Sequence, residues 1–117
     1  MAYVDGFLLA VPRKNLGAYK KMAQWGKRLW MKYGAVDYME CVGDDLKTHC
    51  GSPFPKAMKL KPGEVPVFAY IVYKSRADRD RINAKVMKDP SMATMPKKMP
   101  FDPKRMSYGG FKVLVQA

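Results

Sequence analysis

The chain has 117 residues, 48% of them hydrophobic, and carries 22 Lys and Arg against 10 Asp and Glu, for a formal net charge of +12. That length makes residues 1–117 one domain, with a real core and no room for a second. Asp5 interrupts the first apolar stretch, and no apolar run approaches the ~20 residues of a membrane helix. A soluble, cytoplasmic protein with neither leader nor membrane partner is therefore expected. Cys41 and Cys50 lack CxxC spacing and are read as reduced thiols.

Residues 3 to 11 form the first predicted strand, which Pro12 ends by removing a backbone donor. Asn15 is placed to cap a helix whose Leu16, Tyr19, Met22, Ala23, Gly26, Leu29, Trp30 and Tyr33 share one face at spacings of three and four. Gly34 stops that helix. Residues 36 to 44 then alternate as a second strand, with Val36, Tyr38, Glu40 and Val42 on one side, where the acid stands out. The segment 45–63 reads as a long connection, and residues 65 to 74 as a third strand. Ser75 and Asp78 have capping-box spacing, so a second helix is predicted to about Lys88, with the mixed-sign run Arg76–Arg81 as an exposed face. Pro90 closes it. Residues 91 to 106 are a proline-punctuated loop, and 107 to 115 the last strand, where Gly109-Gly110 marks a bulge or a close backbone approach.

Strand, helix, strand, strand, helix, strand is the ferredoxin-like order: α+β, βαββαβ, a four-stranded antiparallel sheet with both helices on one face. Its central strands are the first and third. In this chain those are Phe7–Val11 and Val65–Tyr73, which are apolar at consecutive positions and so on both faces. Two helices cover one face only. The other is expected to pack on a second copy of the chain, giving a homodimer through the helix-free sheet face. Each large apolar side chain removed from water there contributes ~1.5 to 3 kcal/mol.

The basic residues are spread over three segments: Lys14 to Lys32, Lys56 to Lys61, and Lys97 to Arg105. Such a surface attracts polyanions nonspecifically. Specific RNA recognition would call for an aromatic RNP-like motif, and Tyr108-Gly109-Gly110-Phe111-Lys112 is only the nearest approach to one.

Several short motifs identify a family resemblance. Tyr3-Val4-Asp5-Gly6-Phe7, Asn15-Leu16, Tyr33-Gly34-Ala35, Glu40-Cys41, Asn83 with Lys85-Val86-Met87, Asp89-Pro90, Met99-Pro100-Phe101-Asp102, and Lys104-Arg105-Met106 through Tyr108-Gly109-Gly110-Phe111 resemble the YbaA-like bacterial family known as domain of unknown function 1428. The match spans nearly the whole chain. It implies a dimeric α+β barrel, in which two ferredoxin-like sheets face one another, and it brings no established activity.

Folds of this kind leave cavities lined by aromatics with a few polar groups. Trp30, Tyr33, Tyr38, Phe68 and Tyr70 are the candidates to line one, with core packing as the alternative role. Asp5, Glu40, His49, Arg105 and Tyr108 are the polar candidates. A carboxylate inside a strand is solvent-facing, paired, or placed for proton transfer, and Arg105 is available to pair with Asp5 or Glu40. His49, the only histidine, makes no metal site alone, and its neighbour Cys50 is poorly placed to act with it as a nucleophile pair. Met92, Met95, Met99 and Met106 read as flexible packing over a pocket or partner. No Walker loop, GxGxxG, GxSxG or HExxH occurs, and neither metal nor cofactor is expected. The expectation is a homodimer with a small apolar or aromatic ligand. A cofactor-independent enzyme such as a small monooxygenase, and charge-driven nucleic-acid binding, are the alternatives.

Overall fold

In the computed structural model, which describes residues Met1–Ala117, strand β1 (Tyr3–Pro12) leads through a 3-10 turn into helix α1 (Leu16–Lys32). Strand β2 (Asp37–Val42), the one-turn helix α2 (Phe54–Ala57), strand β3 (Glu64–Tyr73), helix α3 (Arg76–Met87) and strand β4 (Ser107–Lys112) follow. The antiparallel sheet has the order β2-β3-β1-β4, the ferredoxin-like topology. β1 and β3 pair over ten residues, from Tyr3 opposite Tyr73 to Pro12 opposite Glu64.

The pairing puts the odd-numbered residues of β1 and β3 on the helix side. Leu9, Val11, Val65 and Val67 pack with Tyr19 of α1 and with Phe101. Ile71 and Tyr73 pack with Leu29, Ala35 and the α3 residues Ile82 and Val86. On the other side, Phe68 remains 48% and Phe111 62% exposed. Phe111 pairs with Val4 in register, and its ring lies over Gly6. The Tyr70 hydroxyl reaches Met39 Sδ at 3.2 Å on this same helix-free face.

Local signals explain most of the ends. Gly34, just past α1, has φ +113°, a conformation glycine adopts without steric cost. The Ser75 hydroxyl accepts from the Asp78 amide at 3.1 Å and caps α3. Asn15 does not cap α1: its side-chain amide donates to the Pro100 carbonyl at 3.2 Å, tying the 91–106 segment to the helix start. That segment contains two 3-10 turns, capped by Asp89 and Asp102. β4 ends at Lys112, three residues short of the predicted strand. Its register against β1 is regular, so Gly109-Gly110 is no bulge. Gly110 instead permits a close approach, since a Cβ there would sit 2.9 Å from Arg79 Nη1 and against the Tyr3 ring.

The run Arg76–Arg81 is not wholly a solvated face. Arg79 turns inward, its side chain 18% exposed, and donates to Asp5 Oδ1 at 2.7 Å. Its guanidinium also lies 4.9 Å from the centre of the Tyr3 ring. No helix is long and apolar enough to cross a membrane.

Candidate functional site

Between the sheet and α1 lies a cavity of about 180 Å³. Of its 15 lining residues, 13 are hydrophobic. The periodicity of α1 builds one wall: Tyr19, Met22, Ala23, Gly26 and Trp30 follow at three and four residues on the face turned to the sheet. Phe7, Leu9, Ala69 and Ile71 form the sheet wall, and Met95, Phe101 and Met106 close it from the 91–106 segment. Phe101 is held edge-on against Tyr19, with ring centres 5.8 Å apart. Both tryptophans of the chain, Trp25 and Trp30, border the space.

Its one carboxylate is Glu40. The Tyr19 hydroxyl donates to Oε1, and the Tyr38 hydroxyl donates to Oε2 at 2.6 Å. Tyr38 and Glu40 share a strand face two residues apart, so the clamp arises from strand periodicity on one side and α1 on the other. Gly26 makes room for it, because a Cβ there would lie 2.8 Å from the Tyr38 hydroxyl oxygen. Burial, then hydrogen bonding to Glu40, pushes the phenols of Tyr19 and Tyr38 well above the ordinary tyrosine value. The Trp30 indole N–H is committed to Asn83 Oδ1 at 3.0 Å.

Of the five aromatic candidates, Trp30 and Tyr38 line this cavity. Tyr33 donates instead to Asp89 Oδ2 at 2.6 Å. The Ser91 amide and Lys32 also reach Asp89, and the hydrogen bonds from Tyr33 and Ser91 hold its carboxyl well below the usual carboxylate range. Phe68 and Tyr70 lie on the helix-free face, where side chains of β3 alternate away from the cavity. Phe68 borders a groove there with Leu8, Cys41 and Phe54, which has no convergent polar groups.

The polar candidates also separate. Asp5 is buried and paired with Arg79, and the Tyr73 hydroxyl donates to its Oδ2 at 3.2 Å. Arg105 pairs with neither Asp5 nor Glu40: it donates to Glu64 Oε2 at 2.5 Å and to the Lys59 carbonyl at 3.0 Å, joining the last 3-10 turn to the start of β3. That pairing lowers the Glu64 carboxyl. Tyr108 is 71% exposed and stacks on Phe7, centroids 5.9 Å apart. His49 and Cys50 stand exposed in the 43–53 connection, and no three His, Cys, Asp or Glu side chains cluster to hold a metal. Met95 and Met106, two of the four methionines read as packing over a pocket or partner, do line the cavity, whereas Tyr19, Trp25 and Phe101 complete it without having been singled out for it; for Tyr19 the signal was its helical spacing.

Fold and site together define a ferredoxin-like α+β domain with a small, half-open aromatic cavity that holds one acidic group. The chain belongs to the family described as a protein of unknown function, DUF1428, whose model matches residues 2–103. It is 41% identical over 115 residues to the uncharacterized protein YbaA of Escherichia coli K12, covering 98% of each chain. The same identity and coverage relate it to YbaA of Shigella flexneri. Among solved structures, a dimeric ferredoxin-like protein from an uncultured marine organism superposes with a TM-score of 0.61 at 10% identity, covering 99% of this chain and 98% of that one. The fold expected from the order and patterning of the elements is thereby established.

Proposed function

We propose that the protein is a homodimer that binds a small apolar or aromatic molecule between its sheet and α1. The observation that carries the ligand is the cavity itself, about 180 Å³ with 13 hydrophobic residues among 15 and a single carboxylate. A dry cavity of roughly 150 Å³ is enough to bind benzene, so this one has the capacity for a single ring with a short substituent. Sites of this kind draw affinity from apolar burial and orientation from a few polar groups.

The dimer is supported by the exposed apolar side chains of the helix-free face, Phe68 and Phe111 foremost. Four strands ~4.8 Å apart, the central two ~33 Å long and the six-residue edge strands ~20 Å, offer about 500 Å² of face per copy. With the relief of the side chains, that approaches the ~800 Å² per partner of a stable interface. The similarity to a dimeric ferredoxin-like protein is in keeping with it.

Sedimentation velocity at micromolar concentration tests the assembly. A dimer that Phe68→Asp converts to monomer is expected, and a wild-type monomer overturns that half of the proposal. Titration with toluene, followed by the fluorescence of Trp25 and Trp30, tests the cavity. Saturable change is expected, and none at all removes the ligand.

A further inference from the structure

We propose that the ligand of this cavity is a small organic cation, an amine on a single apolar ring whose ammonium group docks on Glu40. This rests on the reading of the cavity as a binding site and adds the chemical class of what enters it.

The first observation is an account of hydrogens. A phenol carries one, and those of Tyr19 and Tyr38 are both given to Glu40. The acidic end of the cavity therefore offers acceptors only: the remaining lone pairs of the carboxylate and those of the two phenol oxygens. A ligand carbonyl, ether or carboxylate would set lone pair against lone pair. A group rich in hydrogens meets complementary partners, and an ammonium carries three donors.

The second observation is charge. Asp37, Asp44, Asp45 and Asp102 are unpaired but exposed to water; of the acids that are buried or half-buried, Asp5, Glu64, Asp78 and Asp89 each have a basic side chain within ion-pair distance, and Glu40 has none. A carboxylate among apolar walls with no counter-charge is costly, and a cation entering beside it supplies what the protein does not. The third is the nature of the walls. Trp25, Trp30 and Phe7 present aromatic rings to the same space, and ring faces attract cations more strongly once water is excluded.

The test uses the full chain and a series of probes with one ring and different charge: benzylamine, toluene and benzoate. Binding is read by calorimetry and by tryptophan fluorescence. A charge-assisted hydrogen bond in place of none predicts that benzylamine binds about tenfold or more tighter than toluene, with benzoate weakest. Glu40→Gln is expected to bring benzylamine down to the affinity of toluene. Tyr38→Phe, which frees a carboxylate lone pair and keeps the charge, is expected to retain the preference even if Glu40→Gln fails to fold. Equal binding of benzylamine and toluene overturns the cation while leaving the cavity as a site. Binding of none of the three overturns the cavity reading itself, and tighter binding of benzoate reverses the inference.

Discussion

Alkali is expected to unfold this protein through its tyrosines. An unfolded tyrosine loses its proton near pH ~10. In the fold, burial is the largest cause that raises Tyr19, Tyr38 and Tyr73 above that value, reinforced for the first two by Glu40 and for Tyr73 by Asp5. A group whose folded pKa is raised contributes stability that is intact below the unfolded pKa and is lost as pH rises beyond it. One pH unit above ~10, each such tyrosine costs the fold about 1.4 kcal/mol, or about 4 kcal/mol for the three. Against a domain stability of roughly 5 to 15 kcal/mol, that loss is enough to bring the melting temperature down steeply. The assay pairs thermal denaturation by circular dichroism across pH ~9 to ~11.5 with phenolate absorbance. Part of the absorbance of the seven tyrosines should appear only with unfolding. If all seven ionise near pH ~10 in the folded protein without loss of melting temperature, the clamp at Glu40 and the burial argument are both refuted.

Three further predictions concern packing and pairing. Gly26→Ala places a methyl 2.8 Å from the Tyr38 hydroxyl and should destabilise by about 1 to 3 kcal/mol in urea denaturation while weakening binding of cavity ligands. Asp5→Ala leaves the Arg79 guanidinium without its inward partner and should cost about 3 to 5 kcal/mol, whereas Asp5→Ala with Arg79→Met should cost less than the two single changes together in a double-mutant cycle. The lowered pKa of Asp89 means that its contribution to stability is present above the ordinary carboxylate range and disappears as pH falls; Asp89→Asn should flatten the acid limb of the melting-temperature profile.

The architecture was legible because the elements follow in ferredoxin-like order and both central strands are apolar at successive positions, as strands in the middle of a sheet often are. Gly34 and Ser75 marked helix ends through local chemistry, which depends on near neighbours alone. Asn15 misled for the same reason: as a cap it looked sufficient, but a carbonyl 85 residues along the chain took its amide. Arg79 was hidden among alternating charges, where nothing local distinguishes the one that turns inward. The cavity was half legible. Glu40 stood out as an acid on an apolar strand side, and Tyr38 and Trp30 were named with it, but the wall from Met95 to Met106 has no period to read.

The sheet is assembled out of order. β1, the first strand made, lies between β3 and β4, and its Tyr3 finds a partner in Lys112 only when nearly the whole chain exists. During synthesis this apolar central strand must therefore wait, with α1 already able to form behind it, no neighbour on either edge until β3 is made and one edge open until β4 follows. Chaperone dependence and losses during expression should accordingly be governed by this interval, and a rearranged chain that brings β3 directly after β1 would shorten it.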